Sequence, residues 1–109
     1  MKYATVRTFA LSQPEVTEQP HFDCGSFRVR GRIFVTVPPD ERHLHLFLPE
    51  EEREQALALY TGFTEKLSWG RKVVGLRLVL APAPAAAVKH LIRQARAAKA
   101  PKALRAAGN

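Results

Sequence analysis

Between Ser26 and Val37 the chain reads SFRVRGRIFVTV, and side-chain character alternates on both sides of one glycine. Phe27 and Val29 alternate with Arg28 and Arg30. After Gly31, Ile33, Val35 and Val37 alternate with Arg32, Phe34 and Thr36. A period of two in β-branched and aromatic residues suits a pleated strand and not a helix. With glycine at its centre the segment predicts a β-hairpin, which commits the fold to a sheet. A loop of two residues and one of three place different side chains on a shared face, and the pattern leaves both open. In either case Arg30 and Arg32 stand at the tip, where burial is least.

The flanking segments supply the other parts of an α+β domain. Tyr3, Val6, Phe9 and Ala10 share a helical face, and Pro14 stops that helix by removing an amide donor and disfavouring helix at Gln13. Residues 16–22 read as extended, and DCGS at 23–26 reads as a turn. PPDE at 38–41 is a second turn. The strand RHLHLFL follows, with Leu44, Leu46 and Leu48 on one face and His43, His45 and Phe47 on the other. Pro49 and the acids Glu50, Glu51 and Glu52 suit a helix N-terminus, and that helix runs to about Tyr60 before Gly62. A turn at 68–70 joins two strands, of which 72–80 is the more apolar and reads as central. The last helix starts near Ala85 and turns Val88, Leu91, Ile92 and Ala95 inward.

The order is helix, about three strands, helix, two strands, helix. It predicts a two-layer sandwich: a mostly antiparallel sheet, in which Trp69 and strand 72–80 share one sheet with the 27–37 hairpin, with helices on one face. A length of 109 residues makes this a single domain over 1–109, with 101–109 expected to fray as a tail after Pro101. A monomer is the simplest expectation. One cysteine, Cys24, suits a reducing compartment. With no long apolar run at the N-terminus, a soluble cytoplasmic protein without membrane attachment is expected.

Charge is unevenly spread. The net charge is +7, yet all ten acids lie at or before Glu65, and from Lys66 onward there are ten Lys or Arg and no acid. That asymmetry points to a polyanion such as nucleic acid, against the plainer alternative of a solvated basic helix. Candidate contacts are the hairpin arginines Arg28, Arg30 and Arg32 and the loop residues Lys66, Trp69, Arg71 and Lys72. Lys89, Arg93 and Arg96 add a stripe within about 60° on the last helix. Exposed, Trp69 could stack on a base; folded back, it would serve as a lid on the core.

The enzyme readings are weaker. His21 and Cys24 lack an orienting third residue, so a catalytic pair is unsupported and a structural cysteine is the plainer reading. His43 and His45 share a strand face, and with His21 and Cys24 four metal ligands can be counted, but no recognised metal-binding spacing unites them. No cofactor is expected.

The segments VRTFALSQPEVTEQPHF, FRVRGRIFV, LFLPEEEREQAL, LSWGRKVVGLRL and LIRQARAAKAPKAL, in that order, resemble the MmcQ/YjbR family across nearly the whole chain. The resemblance implies a fold related to frataxin and CyaY and a double-wing DNA-binding arrangement. The Arg28–Arg32 tip and the 66–72 loop would be the wings. The chain departs from the family where KVVG offers no second aromatic after the tryptophan–glycine turn. A frataxin-like role with iron would call for acids on the first helix, and residues 2–11 carry Lys2 and Arg7 and no acid. The expected function is that of a small non-enzymatic DNA-binding protein making weakly sequence-selective backbone contacts. The alternatives are a protein-interaction or small-ligand domain without nucleic acid and, third, a Cys/His or metal-dependent enzyme.

Overall fold

The computed structural model describes residues 1–105; residues 106–109, part of the tail expected to fray, lie outside the described residues. The elements are α1 (Tyr3–Ser12), β1 (Val16–His21), β2 (Cys24–Val29), β3 (Arg32–Val37), β4 (His43–Leu46), α2 (Glu50–Leu59), β5 (Thr64–Trp69), β6 (Lys72–Val79), α3 (Ala85–Lys99) and α4 (Lys102–Arg105). The strands form one six-stranded sheet in the order β1-β2-β3-β4-β6-β5, with every pairing antiparallel. The α+β sandwich expected from the sequence is therefore present, with Trp69 and β6 in the same sheet as the hairpin. Four strands, not three, precede α2, because the extended segment after Pro14 is the edge strand β1.

Helix α3 lies across β2, β3 and β4, α1 lies on β1, and α2 lies on β5 and β6. The apolar side chains between the layers are fully buried. Val88, Leu91, Ile92 and Ala95 of α3 and Val6 and Ala10 of α1 meet Phe27, Val29, Val35, Leu44, Leu46, Leu76 and Leu78 of the sheet. At about 25 cal/mol per Å² of apolar surface, a buried Leu or Ile contributes roughly 2 kcal/mol, so this seam dominates the stability. Among the described residues, no helix covers the other face of the sheet.

Three local departures from the simple pattern matter. The first is the β2–β3 turn. It has two residues, Arg30 (φ 48°) and Gly31 (φ 79°), both left-handed, as the tightest hairpin turns require. The second is a bulge opposite Phe27 and Arg28: Phe27 pairs with Val35, but Arg28 pairs with Ile33, so Phe34 is the extra residue. It slips the alternation by one. Phe34 and Val35 are both buried, and Ile33 turns to the open face, where the sequence pattern had Phe34.

The third departure is the β1–β2 turn, which falls at residues 22–23 and not at 23–26, so that Cys24, Gly25 and Ser26 belong to β2. Pairing of His21 with Cys24 leaves Phe22 (φ 57°) and Asp23 to make the turn. Sheet pairing to β3 captures the glycine and serine that, read locally, suit a turn.

Candidate nucleic-acid interface

Antiparallel order decides where the hairpin tips point. β2 and β5 run the same way, so their following turns, Arg30–Gly31 and Gly70–Arg71, emerge at one end of the sheet. The hairpins β2–β3 and β6–β5 are centred three strand spacings apart, roughly 14 Å at ~4.8 Å each. Arg32, Arg71 and Lys72 are exposed and have no hydrogen-bond or ion-pair partner among the described residues. Trp69 is 65% exposed, so it is not a lid on the core. Lys72 pairs with it in register. Lys66 is exposed but pairs with Leu76, whose side chain is in the core, so it stands on the helix side of the edge strand and apart from Trp69.

Other residues expected at the interface are engaged elsewhere. Arg30 Nε and Nη2 donate to the two carboxylate oxygens of Glu15 at 2.9 and 3.1 Å. The bond holds Glu15 below the usual carboxylate range and raises Arg30. Arg28 is half-buried on the open face, donating to Ser26 Oγ at 3.2 Å and the Pro20 carbonyl at 3.3 Å. Lys89 and Arg93 sit over the Phe9 ring, 5.5 and 5.1 Å from its centre, on the helix layer. Arg96 is 1% exposed. Its Nε and Nη2 donate to the Pro14 carbonyl at 3.1 and 2.7 Å, and burial lowers its pKa. A guanidinium so enclosed cannot reach a phosphate, and Arg96 leaves the binding set. Its work is to tie the end of α3 to the α1–β1 turn that presents Glu15 to Arg30.

The uncovered face of the sheet carries a groove of about 420 Å³ that sequence reasoning reached only in part. His45 and Phe47 line it, as the strand pattern allows, together with His21, Phe22, Asp23, Cys24, Ile33, Thr36 and Trp69; His43 does not. Phe47 lies close over β6 because Gly75 has no side chain: a Cβ there would stand 2.7 Å from the Leu46 carbonyl oxygen and 3.3 Å from Phe47 Cδ1. Trp69 meets Phe47 edge-on at 6.4 Å, and Phe22 meets His21 edge-on at 4.7 Å. Phe22 is 93% exposed at the hairpin tip. Its left-handed backbone is rare for a bulky residue. A bulky aromatic in a two-residue turn is the sequence sign of this site, and placing the turn at 23–26 hides it.

Two polar groups inside the groove are unpaired. Thr36 is 7% exposed and its hydroxyl has no partner among the described residues; His45 Nε2 is buried with none. Burial, then the nearby Arg77 and His43, lowers the His45 pKa, so the ring is neutral at pH 7 and offers one donor and one acceptor.

The groove is poorly suited to cysteine or metal chemistry. Cys24 Sγ donates to Asp23 Oδ1 at 3.6 Å, and burial and that carboxylate push its thiol up, away from a reactive thiolate. Among the described residues no three His, Cys, Asp or Glu side chains converge as metal ligands. No helix among them is long and apolar enough to cross a membrane.

Compared with models of protein families, residues 11–98 match the family described as YjbR. No curated protein and no solved structure matches the chain.

Proposed function

The chain belongs to the YjbR family, and from that premise we propose that it is a small, non-enzymatic DNA-binding protein of the reducing cytoplasm. It acts as a monomer, without a cofactor, and grips phosphates with two basic hairpin tips. The observation that carries this reading is the exit of both tips at one end of the sheet, bearing Arg32, Arg71 and Lys72 without an acidic partner among the described residues. Their separation of roughly 14 Å by strand spacing is close to the ~12 Å width of a major groove. Backbone contact of this kind is electrostatic and weakly sequence-selective.

Each phosphate neutralised on duplex DNA contributes about −0.9 to the slope of log K against log salt. Three contacts give roughly −2.7, and replacing Arg32, Arg71 and Lys72 together by alanine should remove that much. Fluorescence anisotropy of a labelled duplex across a salt series measures it. Absence of binding to duplex, single strand or RNA at low salt refutes the reading.

The groove favours a second reading, a small-ligand domain without nucleic acid, because about 420 Å³ lies within the range of small-molecule sites. That domain would bind its ligand with little salt dependence, and the triple variant would leave binding unchanged.

A further inference from the structure

Among the described residues, the large hydrophobic side chains left exposed are Phe22, Leu59 and Trp69, and two of these three border the same groove. Exposing such area in water is unfavourable, and a protein that retains it at one site retains a surface for binding. The groove has the chemistry of a base site. Two aromatic side chains stand at its rim, each braced edge-on by a second ring, Trp69 by Phe47 and Phe22 by His21. Between them lie the Thr36 hydroxyl, which has no partner among the described residues, the His45 ring and the Asp23 carboxylate. These groups offer hydrogen bonds of both polarities to the edge of a planar heterocycle, as well as faces on which it can stack.

The surroundings are cationic. Arg28 pairs in register with Ile33 and Arg77 with His45, so both arginines flank the groove on the open face, Arg77 beside Glu65 at 3.4 Å. Lys72 lies across from Trp69, and Arg71 is next to it in the chain. Aromatic platforms within a basic track are how proteins hold unpaired bases, because every base has a π face and every nucleotide a phosphate. A duplex offers the phosphates but not the faces: its bases are stacked on one another.

We infer that the open-face groove takes unstacked bases of a single-stranded nucleic acid, which stack on Trp69 at one end and on Phe22 at the other, while the basic tips at the Trp69 end hold the flanking phosphates. This site rests on the nucleic-acid function proposed above for its backbone contacts, but its preference for an unpaired base does not follow from that function.

Trp69 is the only tryptophan in the chain, so its fluorescence reports on the groove. The probes are a labelled oligothymidine, the same strand annealed to its complement, and an abasic sugar–phosphate oligomer of equal length. Oligothymidine should quench Trp69, whereas the abasic oligomer should bind through charge and leave emission unchanged. Phe22→Ala at the exposed turn should weaken oligothymidine binding about tenfold, within the range of one base–aromatic stack. It should leave duplex affinity, the salt slope and the melting temperature near the wild-type values. Thr36→Val, similar in shape, should weaken single-strand binding alone.

Duplex binding with equal affinity for oligothymidine and the abasic oligomer, and no effect of Phe22→Ala, would overturn the base site and leave the wings intact. No binding of any probe at low salt would overturn both. Quenching that grows with protein concentration in the absence of nucleic acid, with a doubled mass by sedimentation, would show that a second copy covers the groove and would also overturn the base site.

Discussion

Arg96→Ala should destabilise the fold and leave DNA binding untouched, the reverse of what a basic stripe on a helix suggests. The side chain is 1% exposed and donates two hydrogen bonds to one acceptor, the Pro14 carbonyl. A hydrogen bond involving a charged group contributes about 1.5–3 kcal/mol. The arginine stem adds about 0.8 kcal/mol for each buried methylene. Against these stands the cost of removing a guanidinium from water, which amounts to several kcal/mol before pairing. The lowering of the Arg96 pKa by burial shows that this cost is only partly met.

The balance for Arg96→Ala is a loss of about 2–3 kcal/mol, within the usual range for breaking a buried contact. At roughly 4–5 °C per kcal/mol for a domain of this size, Tm should fall by about 8–15 °C. Arg96→Met keeps much of the stem and removes the charge, so it should fall less. Thermal and urea unfolding followed by circular dichroism measures both, and anisotropy at temperatures where each variant is folded measures the salt slope. An Arg96→Ala variant that melts with the wild type, or that flattens the slope by about 0.9 as a lost phosphate contact would, refutes the structural role.

Other outcomes follow from single contacts. Glu15→Gln releases Arg30 from its carboxylate partner, so duplex affinity should rise and the salt slope steepen by up to about 0.9. Arg30→Ala should then cost less affinity than Arg32→Ala, since only Arg30 must first leave an acid; equal losses by anisotropy would contradict this. Gly75→Ala forces a Cβ to within 2.7 Å of the Leu46 carbonyl oxygen, and urea unfolding should show a loss of about 1–3 kcal/mol. His45 titrates below its ordinary value of 6.5, chiefly through burial and then through Arg77 and His43, with Asp40 opposing. A depressed folded pKa means that the unfolded chain binds the proton more readily, so this contribution to stability is present above pH 6.5 and is lost as pH falls through the folded value. Tm measured from about pH 7.5 down to pH 5 should fall less steeply for His45→Gln than for the wild type.

Periodicity reports which side of its own element a residue faces, and on that question the amino-acid pattern was sufficient. The alternation around Gly31 determined a hairpin, and the spacing of Val88, Leu91, Ile92 and Ala95 determined the buried stripe of α3. The apolar β6 implied an interior strand, as found. Together these determined an α+β sandwich, because a sheet with one apolar face and helices with one apolar stripe must cover each other. The Arg28–Arg32 tip and the loop carrying Trp69 were legible as candidate wings for the same local reason.

Which other element a side chain meets is not written in its own neighbourhood. Arg96 stands beside Ala95 at the border of the buried stripe, and only the docking of α1 against α3 brings Pro14, 82 residues earlier, within 2.7 Å of it. Glu15 captures Arg30 because β1 pairs with β2 and carries the α1–β1 turn to the hairpin tip. One extra residue, Phe34, reverses the faces that strict alternation assigns, since a bulge shifts the register without altering composition. The groove is the extreme case. Phe22, Thr36, Phe47 and Trp69 come from separate strands or from the residues just beyond their ends, and they line one surface only because the sheet order brings those strands together. Local pattern sets the elements, whereas long-range pairing and packing, which act between residues far apart in the chain, set what those elements hold between them.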